Sequence, residues 1–282
     1  MALHFNSDSG TDDYLTKSVA IFSGHTYPLT FSAWVRPDDR GSQIAVASGS
    51  GSGTSKQISL GCGGSGKFQA RMKGGGATSS VLYENSNTTW FHILGSFEAS
   101  DDVKLYVNGS VDGTNTASNN IPDFADSNEF WIGTGVLSGT NITSRTWEGG
   151  IAEVAAYAAE LTAGEISALA DGFSPLLVQP KSLVGYWPLG GPMTSALSGT
   201  DALGTHALTV NGGVLEEHHP QAYYPTLSMR SRVSAEPEPT VPGQGHDYAL
   251  AGDMPDFKVH LQGKNARIPD NKADFGVQHH GN

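Results

Sequence analysis

The sequence predicts an all-β protein: a two-sheet antiparallel sandwich or jelly roll, with one short helix and an extended C-terminal arm. Three observations carry this expectation. Apolar and polar residues alternate with period two in many short runs bounded by Gly, Asn and Ser clusters, which is the pattern of half-buried antiparallel strands. Glycine is abundant (36 of 282 residues) and charge is sparse (16%) against roughly 25% in typical globular chains, as turn-rich sheets require. Finally, all five Trp fall in residues 1–216, whereas residues 217–282 hold half of the 14 prolines and six of the ten His.

The strand candidates follow in chain order. LTFSAWVRP (29–37), QIAVAS (43–48) and KFQARMK (67–73) come first. In the last of these Phe68, Ala70 and Met72 share one face, while Gln69, Arg71 and Lys73 take the other. WFHILGSFE (90–98) precedes VKLYVNGSVDG, where Val103, Leu105 and Val107 alternate before Asn108-Gly109. That dipeptide supplies the two positive-φ residues of a tight hairpin. EFWIGTG (129–135), IAEVAAYA (151–158), SLVGYWPL (182–189) and HALTVNGG (206–213) complete the set. One helix interrupts them. In LTAGEISALADG, Thr162 and Glu165 form a capping box, Ile166 and Leu169 an apolar stripe, and Gly172 stands at the C′ position. The helix is expected over 163–171, plugging one end of the sandwich.

The domain organisation expected is a compact domain over 1–216 and a Pro-rich arm over 217–282. The first part carries 20 acidic and 10 basic residues, a net of −10 of the chain's −12. The run AEPEPTVPGQG at 235–245 reads as a polyproline-like linker. An arm of this composition cannot build its own core, so its Tyr223, Tyr224, Phe257 and Phe275 are expected to be buried against a neighbouring subunit, which makes the chain a homo-oligomer.

Composition also excludes functions. With 38% hydrophobic residues the chain is not disordered as a whole. A net charge of −12 argues against nucleic acid as a partner, because that affinity rests on neutralising phosphates. A single cysteine, Cys62, forms no intramolecular disulfide and reads as a small buried residue. No apolar run reaches 18 residues, so no membrane insertion is expected. The opening MALHFNSDSGTDDY has neither a basic region nor an apolar one, so synthesis in a cytosol without a secretory leader is expected.

Candidate chemistry is thin, and no catalytic residue is assigned. GCGGSGKF (61–68) fits the phosphate-loop spacing through Lys67, but Phe68 replaces the Ser or Thr that holds Mg²⁺ and a period-two strand follows where a helix is needed. It reads as a hairpin turn. Glycosidase chemistry needs two carboxylates flanking the scissile bond. The nearest pairs, Asp126 with Glu129 and Glu153 with Glu160, do not place two acids on one face of one strand. No Gly-x-Ser-x-Gly elbow occurs. His218-His219 and His279-His280 lack the companion spacing of a zinc site. Acidic pairs at Asp12-Asp13, Asp38-Asp39 and Asp101-Asp102 fall in loops and leave room for Ca²⁺ without EF-hand spacing. Sequons stand at Asn87, Asn108 and Asn141, the second explained by its turn. Tyr83, Trp90, Trp131 and Trp147 are the candidate sugar-stacking platforms, each beside an alternating strand that favours a core position instead. Ligand-binding and metal residues stay unassigned.

An ordered set of elements carries a family resemblance over residues 1 to about 190. HFNSDSGTDDYLT, LTFSAWVRPDD, NTTWFHILGSFEASDDVKLYVNGSVDG, FWIGTG and WEGGIAEVAAYAAELTAGEISAL, taken together, resemble the laminin G-like branch of the concanavalin A-like lectin and glucanase superfamily. Ala152, where that pattern commonly has Asp, and the long DSGT of the first turn are departures bearing on any calcium or ligand site. The resemblance implies a jelly roll of 12 to 14 strands. SLVGYWPLGG and ALTVNGG resemble the strands trailing such domains in bacterial and bacteriophage proteins. The function expected is therefore a non-enzymatic virion surface protein, a capsid decoration or tail component, that contacts glycans and assembles through its arm. A polysaccharide-binding or polysaccharide-degrading protein and a calcium-dependent adhesin are the alternatives.

Overall fold

The computed structural model describes residues 2–6, 12–39, 41–49, 57–64, 66–72, 75–82, 89–98, 102–116, 129–135, 145–190, 199–212 and 214–216, with 75–82 and 214–216 described as backbone. The proposed arm at 217–282 lies outside the described residues, with its aromatic and His candidates, and so do Tyr83, Asn87, Asp101, Asp126 and Asn141.

The strands are β1 (Ala2–Phe5), β2 (Tyr14–Lys17), β3 (Leu29–Pro37), β4 (Gln43–Gly49), β5 (Gln57–Gly63), β6 (Lys67–Met72), β7 (Gly75–Leu82), β8 (Phe91–Phe97), β9 (Val103–Val107), β10 (Ser110–Asn115), β11 (Glu129–Ile132), β12 (Gly149–Tyr157), β13 (Leu183–Trp187), β14 (Thr209–Asn211) and β15 (Val214–Glu216). An eight-stranded sheet runs β10-β9-β8-β3-β12-β1-β15, with β13 also on β12. A seven-stranded sheet runs β14-β2-β11-β4-β5-β6-β7. This is the antiparallel jelly-roll sandwich that the alternation predicts, with fifteen strands among the described residues instead of 12 to 14. The additional strands include β7 and β15, whose Gly- and Ser-rich or very short sequences carry little alternation.

The core lies between the sheets. On β3, Leu29, Phe31, Ala33 and Val35 face inward, and across the gap Phe130 and Ile132 of β11 and Phe68, Ala70 and Met72 of β6 meet them. Phe130 of one sheet stacks on Trp187 of the other at 4.5 Å between centroids, and Phe31 lies 6.1 Å from both Phe97 and Phe130. Such pairs add about 1 kcal/mol each beyond the area they bury. Trp187 keeps its indole N–H satisfied by donating to the His206 carbonyl at 2.9 Å.

Two local devices behave as the sequence predicts. At the β9–β10 turn Asn108 and Gly109 have φ of 48° and 82°, the pair a two-residue hairpin demands. Asn108 also clamps the neighbouring strand: its Oδ1 accepts from His92 N at 2.9 Å and its own N–H donates to His92 O at 2.8 Å. Helix α1 (Ala163–Ala170) starts on the capping box, with Thr162 N donating to Glu165 Oε2 at 2.7 Å and Glu165 N to Thr162 Oγ1 at 3.4 Å.

The helix does not plug an end of the sandwich as expected. Ile166 and Leu169 instead pack on the outer face of the eight-stranded sheet, against Leu94, Ala155, Tyr157, Leu183 and Tyr186. The reason is readable in the strands. β8, β12 and β13 carry apolar residues on both faces, so their outer face needs a cover, and an eight-residue helix with a two-residue stripe supplies it.

Candidate functional site

A sandwich offers a ligand two outer faces, and here they are built differently. On the eight-stranded sheet the outward residues of β3 are Thr30, Ser32, Trp34 and Arg36, all buried. Thr30 Oγ1 donates to Ala159 O at 2.7 Å, and Ser32 Oγ meets His92 Nε2 at 2.9 Å. Burial drives the His92 pKa down to about 3, so the ring is neutral. Ser32 and His92 resemble half of a hydrolytic pair, but each is 1% exposed and His92 Nδ1 has no hydrogen-bond partner, so no carboxylate orients the ring.

Further along the same face His4 on β1 and Arg36 on β3 flank Gly150 of β12. Two strand spacings separate them, about 9.6 Å, and the missing side chain at Gly150 leaves the space in which Arg36 Nη2 comes within 3.2 Å of His4 Nδ1. Asp38 closes the group, 3.5 Å from Arg36 Nε and 3.5 Å from His4 Nε2. The guanidinium lies 5.6 Å from the ring centre of half-buried Trp90, a cation–π arrangement. Toward the helix, Lys104 pairs with Glu98 and lies 3.6 Å from Glu160. The hydrogen bond to Glu98 is the main cause holding its ammonium above the ordinary lysine range.

Two more acids on this side are structural. Glu153 sits in the β12 bulge with φ of 52° and accepts a short hydrogen bond from the Tyr186 hydroxyl. Asp201, 1% exposed, gathers the turn after β13. It accepts from the amides of Tyr186, Leu203, Thr205 and His206 at 2.9 to 3.2 Å and from the Thr205 hydroxyl at 2.7 Å.

The seven-stranded sheet presents another chemistry. Register aligns Trp131 of β11, Ala47 of β4, Ser59 of β5 and Arg71 of β6 in one row. Their inward neighbours Phe130, Val46, Leu60 and Ala70 belong to the core, so this row faces out. Gln57 precedes Ser59 on the same face of β5, and Lys67 and Gln69 precede Arg71 on the same face of β6. Arg145 joins from the segment before β12, where its carbonyl accepts from Ile44 N at 3.0 Å. Ile44 registers with Gly61, and Gly61 with Gln69. Gly61 is required there: a Cβ would stand 2.2 Å from Gln43 O, inside the bulge of β4.

Burial, and then the nearby positive charge of Arg71, lowers the proton affinity of Arg145. Burial raises that of Glu129, on the same face of β11. Among the described residues, Lys67, Arg71 and Arg145 have no ion-pair partner and Gln57 and Gln69 no side-chain hydrogen bond.

The sequence candidates distribute as follows. Trp147 is wholly buried in the core and Trp131 is 2% exposed, so neither stacks on a ligand; Trp90 is half-buried and held by Arg36. Glu153 is buried, while Glu160 lies beside Lys104. Asp13 accepts from Asn6 N, and Asp39 from Gly41 N and Gln43 Nε2. Among the described residues no group of three or more His, Cys, Asp or Glu is placed to hold a metal ion. GCGGSGKF forms the β5–β6 hairpin, with Lys67 opening a strand. Cys62 is buried in the core. Ala152 packs with Ala2 and Trp34, with Trp90 against them. Arg145 was missed because no periodicity surrounds it. Arg71 faces outward in the strand pattern, but nothing in that pattern marks a cation without an ion-pair partner among the described residues.

The fold places the chain among lectin-like sandwiches. A laminin G-type family model, described as the concanavalin A-like lectin/glucanases superfamily, matches residues 8–167, and the chain belongs to that superfamily. Among solved structures it is similar to a proposed carbohydrate-binding protein from Bacteroides ovatus, at 17% identity and a TM-score of 0.57, over 76% of this chain and 58% of that one. It is also similar to a heptameric SAP-like pentraxin from Limulus polyphemus, at 14% identity and a TM-score of 0.53, over 79% of this chain and 97% of that one. The chain thus spans little more than half of the Bacteroides protein. At these identities the likeness is one of fold. No curated protein matches by sequence.

Proposed function

We propose that the chain is a non-enzymatic glycan-binding module whose ligand lies on the outer face of the seven-stranded sheet. One observation carries this reading: Gln57, Lys67, Gln69, Arg71 and Arg145 gather on that face with no side-chain partner among the described residues. Amide side chains both donate and accept, as a sugar hydroxyl does, and with Ala47, Ser59 and Trp131 buried the ligand meets these polar side chains first. The similarity in fold to a proposed carbohydrate-binding protein agrees with it.

Hydrolysis has less support. It needs two carboxylates roughly 5 to 10 Å apart across a bound sugar, whereas Glu153 is buried under Tyr186 and Glu160 is held by Lys104 on the other sheet's side. The virion setting, in which residues 217–282 dock on a neighbouring subunit, is part of the proposal and rests on composition and resemblance. Mass spectrometry of purified particles tests it.

For binding, the experiment is a glycan array with the full chain, followed by reducing-sugar assays on the polysaccharides retained. Retention of discrete saccharides, weakened at least tenfold in Gln69→Ala, is the expected result. Release of new reducing ends would replace the module by an enzyme.

A further inference from the structure

The cations of the seven-stranded face narrow the kind of glycan, an inference that rests on the glycan-binding reading. In a chain with 28 acidic and 16 basic residues, acids outnumber the basic side chains they could pair with. Arg36 and Lys104 have such partners, within 3.5 Å and 3.6 Å or less. Arg71 and Arg145 have instead each other's charge nearby and no carboxylate among the described residues. Their backbones belong to β6 and to the segment bonded to β4, three strand spacings apart, about 14 Å. The charge of Arg71 is felt at Arg145 across that gap, with Ser59 and Gly61 of β5 and Ile44 of β4 between the two backbones.

Of the aromatic side chains described on this face, Trp131 makes no platform beside the cations, and half-buried Tyr14 stands on β2, on the far side of β11 from them. Trp131 is 2% exposed and Ile44 is buried beside it. Neutral sugars are commonly held by apolar and aromatic surface with a few polar groups, and beside the cations that surface, Trp131 and Ile44, is covered. Around Arg71 the described polar groups are guanidiniums, amides and the Lys67 ammonium, while the Glu129 carboxylate stands on β11, three strands from β6. A guanidinium is a planar fork that meets a carboxylate or a sulfate through two parallel hydrogen bonds, and two forks converging on one anion also remove their mutual repulsion.

We propose that Arg71 and Arg145 together grip an anionic substituent, a carboxylate or a sulfate ester, of a saccharide bound on the seven-stranded face, with Gln69 bonding its ring hydroxyls. The site selects acidic glycans over neutral ones of the same length, and its affinity falls with salt because ionic contacts at a surface are screened.

The test is isothermal titration calorimetry of the full chain against three oligosaccharides of matched length: a neutral galactan, a galacturonan and a sulfated galactan. Expected is binding of the galacturonan, the sulfated galactan or both at least tenfold tighter than the neutral chain. Which of the two is bound distinguishes carboxylate from sulfate. That preference should disappear in the Arg71→Gln/Arg145→Gln double variant. Arg71→Glu serves as a second variant: it places a carboxylate beside Arg145, so it should melt at or above the parent temperature and still lose the anionic ligand. Equal affinity for all three chains, unchanged in the double variant, overturns this inference while leaving a glycan-binding module. No binding to any of the three, combined with a blank array, overturns both.

Discussion

Arg36 and Arg71 occupy comparable places, each an outward-facing residue of a strand whose alternate side chains fill the core. On the eight-stranded sheet Arg36 is enclosed by His4, Asp38 and Trp90. On the seven-stranded sheet Arg71 meets another cation. The first face is largely bonded within the chain: helix α1 covers its apolar end, and Glu153, Asp201 and Lys104 are each bonded in place, with His92 Nδ1 the exception. The second leaves hydrogen-bonding capacity over among the described residues. Polar groups that serve stability are satisfied internally, whereas groups kept for a ligand stay open in the unliganded fold, at a small cost to it.

That contrast can be broken most sharply by acid. His92 is held neutral with a pKa near 3 against an ordinary 6.5, so the unfolded chain binds the proton more readily. Stability present above pH 6.5 is therefore lost as the pH falls toward 3, by up to roughly 5 kcal/mol. Urea denaturation at pH 7 and pH 4 measures it, and the profile should be flatter in His92→Leu. An equally steep profile would place the acid sensitivity elsewhere.

Asp201→Ala comes next. It strands four amides and a hydroxyl at the edge of the eight-stranded sheet and should cost about 4 kcal/mol in the same assay. Arg36→Ala removes a buried stem, the His4 and Asp38 contacts and the ring beneath it, for about 2 kcal/mol. Arg71→Gln, the matching change on the other face, should stay within about 0.5 kcal/mol of the parent. If the Arg71 and Arg36 substitutions cost the same, the two faces are not distinct.

Much of this fold was legible in the sequence, because period-two alternation, the Asn108-Gly109 turn and the Thr162/Glu165 capping box are local signals. The helix was found and its site of docking was not. Docking depends on which strands are apolar on both faces, and Leu94, Ala155 and Tyr157 become neighbours only through strand order. The candidate site was harder still. Arg71 lies in a visible strand, but that no described carboxylate pairs with it is a property of three-dimensional neighbourhood, and Arg145 reaches it from residues 74 positions away. The aromatic candidates illustrate the converse: Trp131 and Trp147 sit in or beside strands whose packing buries them, as their neighbours suggested.

The most direct test of the two-face account is to follow the unfolding and the anionic-oligosaccharide binding of Arg71→Gln side by side with the parent chain. The account predicts an unchanged unfolding midpoint and at least a tenfold loss of affinity. A lowered midpoint with affinity intact would mean that Arg71 is a structural residue like Arg36, and would contradict it.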